Sequence, residues 1–256
     1  MLLKSKIFGS EGDVLIVLHG FLGMSDNWNS FAKKINDRGF QIHLLDQRNH
    51  GESFHNKEFN YEILANDLKY YIDYHKIISF SLIGHSMGGK TAMMFASIYP
   101  NTIKKLIIVD ILPFYYKNDY QNIINSLKSL DFKSISSRLN ADKALSIFIQ
   151  DQSFRAFLLK NLKRVSKDEL AFKIDLDIIS DNLSEVEKAL PSDIYFSGET
   201  LFIKGQKSDY INNQKFKIVH NNFPKSRLVE VSNAGHWVHA ENLNDFVEET
   251  LIFLKS

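Results

Sequence analysis

The sequence predicts an α/β fold: a mostly parallel sheet covered by helices on both faces, with one helical insertion. Three observations carry that expectation. Short continuous apolar runs recur along the chain, as strands buried on both faces do. Helical patterns alternate with them. Between about residues 113 and 197 the alternation stops, and only helical patterns are legible until the strand pattern resumes.

In chain order, "DVLIVLHG" (Asp13–Gly20) and "FQIHLLDQ" (Phe40–Gln47) read as the first two buried strands. Tyr61, Leu64, Ala65, Leu68 and Tyr71 then fall at i, i+3, i+4, i+7 and i+10, one apolar helical stripe. "ISFSLIGH" (Ile78–His85) is the third strand, followed by a helix from Met87 to Tyr99 that stops at Pro100. "KKLIIVDI" (Lys104–Ile111) is the fourth. The insertion follows, too long for an ordinary loop. Its segment "LSIFIQDQSFRAFLLKNLKRV" reads as amphipathic helix, with Phe154, Phe157 and Leu158 near helical spacing. "TLFIKG" (Thr200–Gly205) resumes the sheet and needs the earlier strands to pair with, which argues against a separate helical domain. "LNDFVEETLIFLKS" closes the chain as a helix with Phe246, Leu251 and Leu254 inward. The expected organisation is a core of residues 1–112 and 198–256 with a helical cap of residues 113–197.

Composition narrows the function. The 256 residues are 44% hydrophobic and 24% charged, ordinary for a globular chain. Lys plus Arg is 31 and Asp plus Glu is 30, so no charge excess points to nucleic acid or an anionic membrane surface. There is no cysteine, which excludes disulfides, thiolate catalysis and cysteine-zinc sites. The N-terminal stretch lacks a basic region followed by a long apolar one, and no apolar run approaches the ~18 residues of a membrane span. The expectation is a soluble cytoplasmic protein acting on a small molecule.

The chemistry centres on "IGHSMGGK" (Ile83–Lys90). A Gly-x-Ser-x-Gly pattern between a strand and a helix places a serine on a sharp turn, its hydroxyl projecting from the sheet's carboxyl edge. Glycine relieves crowding where strand and helix nearly touch. Ser86 is therefore the expected nucleophile, and the Met87 N–H at the helix start an expected oxyanion donor. "LHGFLG" (Leu18–Gly23), after the first strand, supplies the second donor, the Phe21 N–H. His19 reads as a hydrogen-bonding tie between loops and Asp46 as a loop organiser. The base should come late in the chain, and "VSNAGHWVHAE" offers His236, behind a glycine that lets the loop turn, with His239 a structural neighbour. His43, His75 and His220 read as surface or core residues; His50 and His55 lie on a loop given no role. The imidazolium formed during catalysis needs an anion. Asp110, at the carboxyl end of a strand, is the acid expected. Asp209 in "GQKSDY" is the alternative. Ser208, three residues after Gly205, can hydrogen-bond but supplies no charge, and is read as a polar assistant.

Together "LHGFLGMSDNW", "LDQRNHGESFH", "GHSMGGKTAM", "LIIVDILPFYY", "FLLKNL", "LFIKGQKSDYI" and "AGHWVHAE" resemble the YbfF-type esterases of bacteria and are similar to the mitochondrial abhydrolase-domain 11 proteins. The resemblance runs nearly the whole chain. It implies an α/β-hydrolase fold with a helical cap, and carboxylesterase or acyl-thioesterase activity. It also implies that Asp110 is the acid and that Ser208 stands in the later Gly-x-x-Ser stretch.

The expected reaction is two-step acyl transfer from an ester or acyl thioester, acyl-CoA included, with no metal or organic cofactor. Phe114, Tyr115 and Tyr116, leading into the cap from Asp110, and Trp237 beside His236 are expected to line or hinge the substrate pocket. One rival is a lyase or carbon–carbon hydrolase on the same fold, using cap arginines Arg138, Arg155 and Arg164 to hold a carboxylated substrate. Another is a non-catalytic ligand-binding protein of this fold.

Overall fold

The computed structural model describes residues 1–167 and 169–256. Nine strands are described: β1 (Ser5–Phe8), β2 (Asp13–Leu18), β3 (Phe40–Leu45), β4 (Phe80–His85), β5 (Ile103–Val109), β6 (Leu162–Ser166), β7 (Glu169–Phe172), β8 (Thr200–Gly205) and β9 (Ser226–Val231). Seven form one sheet in the order β1-β3-β2-β4-β5-β8-β9, antiparallel only where β1 meets β3. The helices are α1 (Asn29–Asn36), α2 (Tyr61–Tyr74), α3 (Met87–Ile98), α4 (Tyr120–Lys128), α5 (Arg138–Leu145), α6 (Gln152–Leu158), α7 (Leu176–Asp181), α8 (Leu183–Glu187), α9 (Asn213–Val219), α10 (Val238–Glu241) and α11 (Leu243–Lys255).

The continuous apolar runs are explained by two cores. Successive side chains of a strand point to opposite faces. Leu15 and Val17 of β2 join Phe31 and Ile35 of α1 and Phe246 of α11 on one face. Ile16 and Leu18 join Leu64, Leu68 and Tyr71 of α2 and the apolar side of α3 on the other. Both faces are covered, so neither parity of the strand can be polar. Among the described residues no helix is long and apolar enough to cross a membrane.

The five expected strands and the helices after them lie where the pattern put them. Two edge strands, β1 and β9, were not singled out. Their burial is partial, so their apolar content is diluted. A larger correction falls between β5 and β8. That segment carries α4 to α8, but it also contains an antiparallel hairpin of β6 and β7, where no strand was expected. The segment "FLLKNLKRV" does not run on as one helix. It stops at Leu158, makes a short 3₁₀ turn and becomes β6. Asn161 gives the physical reason. Its side-chain amide donates to the Leu158 carbonyl at 3.2 Å and to the Leu22 carbonyl at 2.8 Å, a contact 139 residues away in sequence. A tertiary bond thus ends a helix that its own periodicity would continue.

The functional edge is set by the turn between β4 and α3. A Cβ on Gly84 would lie 2.2 Å from the Gly88 carbonyl oxygen, and one on Gly88 would lie 2.5 Å from the carbonyl oxygens of Leu18 and His19. These contacts are backbone on backbone, so nothing flexible can move aside. Gly88→Ala is expected to lower stability by about 1–3 kcal/mol through overpacking, seen as a lower urea midpoint; an unchanged midpoint would mean that the turn relaxes freely.

Candidate active site

Five chain segments deliver side chains or amides to the carboxyl edge of the sheet. Ser86 follows β4, Asp110 follows β5, Ser208 follows β8, His236 follows β9, and the Gly20–Gly23 loop follows β2. Ser86 and Asp110 both have positive φ, 52° and 51°. Their amides nevertheless keep sheet partners: Ser86 N–H donates to the Val109 carbonyl at 3.0 Å and Asp110 N–H to the Ile203 carbonyl at 2.8 Å. The backbone stays tied to the neighbouring strand while the left-handed kink breaks the strand and starts the turn.

Asp110 is fully buried. Its Oδ1 accepts from the Gly205 N–H at 3.2 Å, and its Oδ2 accepts from the Ser208 hydroxyl and, at 2.8 Å, from His236 Nδ1–H. A carboxylate on Nδ1 fixes the tautomer and leaves Nε2 as the acceptor nitrogen. Asp209 is exposed and does not meet the imidazole; the carboxylate there is Asp110. Ser208 sits on Asp110 rather than on the histidine.

Ser86 and His236 line the same cavity of about 860 Å³. Gly20 packs against the serine so closely that a Cβ there would lie 3.3 Å from Ser86 Cβ. The N–H groups of Phe21 and Met87 have no hydrogen-bond acceptor among the described residues. The loop holding Phe21 is clamped from several sides. His19 donates from Nδ1 to the Gly20 carbonyl at 2.8 Å and accepts at Nε2 from the Gln47 N–H at 3.0 Å. The Gln47 side chain donates to the His19 carbonyl at 2.8 Å and accepts from Thr91 of α3 at 2.9 Å. Leu22, at φ 57°, donates to His50 Nε2 at 3.2 Å. Asp46 ties down the same region through the amides of Ser25 and Glu52.

Residues 13–243 match the alpha/beta hydrolase fold family. The chain belongs to that family. Across 94% of its length it is 35% identical to an abhydrolase domain-containing protein of Schizosaccharomyces pombe, covering 92% of that protein. It is 32% identical to the sn-1-specific diacylglycerol lipase ABHD11 of Danio rerio, over 99% of this chain and 82% of that one. A solved marine microorganism esterase superposes with a TM-score of 0.94 at 39% identity, covering 98% of this chain and 99% of the other. The chain is thus an α/β hydrolase of the esterase/lipase type.

In this hydrolase the pocket lining differs in part from the expectation. Trp237 lines the cavity, with Phe154 and Phe157 of α6 packed 5.5 and 5.7 Å from it, ring to ring. Phe114, Tyr115 and Tyr116 do not line it. Tyr115 is 56% exposed, and Tyr116 turns its hydroxyl to the Tyr210 carbonyl at 2.7 Å. They form the root of the cap, because the chain climbs away from Asp110 along the outside of the cavity; Tyr120, one helical start later, faces in. The cap arginines are engaged elsewhere. Arg155 pairs with Asp142, Arg138 donates to the Leu162 carbonyl, and Arg164 donates to the carbonyls of Lys167 and Ser136. None lines the cavity.

Several contributors were missed. His85, the variable residue before the serine, donates from Nε2 to the His236 carbonyl at 2.8 Å. Glu241 accepts from the amides of Gly235 and Trp237 at 2.8 and 3.1 Å, bracketing the histidine loop. That bracket was visible in principle, since a glutamate closes "GHWVHAE". Gln47, Asn161 and Tyr210 act across long sequence separations and leave no local signal.

Buried imidazoles surround the site. Burial holds His85 well below the ordinary histidine range, with the nearby His236 and His239 adding to the effect. Burial likewise lowers His50 and His239 to about 3 and, away from the site on β3, His43 to about 4. A histidine kept neutral in the fold but free to protonate when unfolded makes stability fall as pH falls below about 6.5. His239→Phe should keep an aromatic ring beside Trp28, on which His239 stacks at 3.8 Å. It is expected to make the loss of urea-unfolding stability between pH 6.5 and 4 shallower by about 1–3 kcal/mol. Parallel curves for the two proteins would show that His239 titrates normally.

Proposed function

We propose that the protein hydrolyses carboxylic esters, and acyl thioesters, through a Ser86–His236–Asp110 triad and an acyl-enzyme. The observation that carries the reading is the 2.8 Å pair between His236 Nδ1 and Asp110 Oδ2, made by two residues on different strands' ends beside the cavity that Ser86 lines.

In the proposed reaction His236 Nε2 takes the Ser86 hydroxyl proton as the oxygen attacks the acyl carbonyl. Asp110 stabilises the imidazolium and does not itself take the proton. The oxyanion is held by the N–H groups of Phe21 and Met87. The tetrahedral intermediate collapses, the C–O or C–S bond breaks, and His236 returns the proton to the leaving alcohol or thiol. Water then attacks the acyl-enzyme, giving its proton to His236, and the acid leaves as Ser86 regains the proton. Ser208 serves by holding the Asp110 carboxylate. The lining of Phe21, Tyr120, Ile123, Phe154, Phe157 and Trp237 favours an acyl chain over a sugar or a multiply charged substrate. The diacylglycerol lipase named among the relatives supports a lipid ester as one such substrate. Among the described residues no arginine lines the cavity and Lys160 is its single cationic side chain, so the cluster of cations that a lyase or carbon–carbon hydrolase would use to grip a carboxylate is not supported.

Hydrolysis of p-nitrophenyl butyrate and butyryl-CoA by the wild type and three variants tests this. Ser86→Ala should abolish turnover, Asp110→Asn should lower kcat by roughly 10⁴, and Asp209→Asn should stay within a few-fold of wild type. Collapse of Asp209→Asn instead would overturn the assignment of the acid. Turnover of the ester but not the thioester would restrict the substrate class.

A further inference from the structure

His236 is held by more than its carboxylate. Tyr210 lays its ring on the imidazole, centroids 3.8 Å and planes 18° apart. Its polar groups are all engaged. The Tyr210 N–H donates to Ser208 Oγ at 3.3 Å, the hydroxyl donates to Asn118 Oδ1 at 2.9 Å, and the carbonyl accepts from the Tyr116 hydroxyl. Asn118 and Tyr116 lie where the chain leaves the sheet for the cap, and both are bound to Glu187, where it prepares to return. The Asn118 N–H donates to Glu187 Oε1 at 2.9 Å, and the Tyr116 N–H donates to the Glu187 carbonyl at 3.0 Å. Lys90, buried on α3, closes the same clasp by donating to the carbonyls of Glu187 and Lys188 at 3.1 and 2.6 Å. Tyr210 therefore touches the imidazole on one side and the junction of both cap ends on the other.

We propose that Tyr210 is a positioning residue that couples the seating of the cap to the aim of the His236 imidazole. The inference rests on the triad reading above. An imidazole held by one Nδ1–H bond can still swing about that bond, and the stacked ring removes this freedom. A misplacement of about 1 Å can cost about 10²-fold in rate. The coupling runs through the clasp: an open clasp frees the Tyr210 hydroxyl, and the ring is then no longer pinned against His236. Asn118, Tyr120 and Tyr210 also line the cavity, so a bound acyl chain meets the same residues. Substrate that seats the cap thereby seats the base.

The test is steady-state kinetics on p-nitrophenyl butyrate with Tyr210→Phe, Tyr210→Leu, Glu187→Ala and the double variant Glu187→Ala/Tyr210→Leu. Tyr210→Leu should lower kcat by about 10–10² with KM little changed. Tyr210→Phe keeps the stack and loses one hydrogen bond, so it should recover most of that rate, falling short by about 2–10-fold. Glu187→Ala should lower kcat in the wild-type background and do nothing further once Tyr210 is Leu. The proposal is overturned if the two losses multiply, if Tyr210→Leu changes KM alone, or if Phe is no better than Leu. Labelling of Ser86 by a fluorophosphonate separates the two readings. A wild type that is not labelled sinks the triad and this proposal with it. A Tyr210→Leu protein labelled as fast as wild type sinks the coupling alone.

Discussion

Backbone-to-backbone contact at the turn from β4 into α3 is the constraint on which the rest of the molecule depends. Gly84 and Gly88 meet there with no space for a side chain, and Gly88 also rests on the end of β2. The same contact sets the spacing between α3 and the Gly20–Gly23 loop, and so between Ser86, Met87 and Phe21. Ser86 and Asp110 absorb the geometry by adopting positive φ, a conformation that costs of order 1–3 kcal/mol at each non-glycine residue. Each is held in it by an amide bonded to the next strand. Two of the proposed triad residues thus carry backbone strain at their strand ends, and the sheet ladder offsets it.

Around that turn lies a layer of buried, neutral histidines. His19, His50 and His85 each donate one ring N–H to a backbone carbonyl, and His19 and His50 also accept an amide N–H on the other nitrogen. An imidazole that gives and takes in this way suits loops whose backbone groups cannot pair with one another. It adds no charge in a low-dielectric site, where an unpaired charge is costly. Among the described residues of this layer, His236 is the imidazole that donates directly to a carboxylate, Asp110. Charge development during the proposed reaction is thereby directed to one ring.

The cap lines the cavity with Tyr120, Ile123, Phe154 and Phe157 and with polar Asp119, Asp151 and Lys160, and it is fastened by polar contacts. The Tyr61 hydroxyl donates to the Val186 carbonyl at 2.6 Å, beside the two carbonyls that Lys90 holds. Burial lowers the Lys90 ammonium to about 7, although two carbonyls and the rings of Tyr61 and Tyr116 face it. The nearby Glu187 carboxylate only partly offsets that burial, so Lys90 is a specific but expensive fastening, and it sits at the junction through which Tyr210 reaches the cap.

Local pattern was enough for much of this protein. The five buried strands, the α2 stripe and the serine turn rest on period or on glycine spacing, and the expectation of a late histidine with Asp110 behind it rests on the need for a base and for a charge at a strand's carboxyl end. Each of these is a property of a few neighbouring residues, and so is legible in the chain. Tertiary structure decided the rest. The break in "FLLKNLKRV" depends on Asn161 finding Leu22, and the pocket walls depend on the path of the cap, which carries Tyr115 outward and Tyr120 inward. The bracing of His236 by His85 and Tyr210 joins residues 151 and 26 positions apart. Interactions between residues so far apart have no period, so only the folded chain, by bringing them together, determines them.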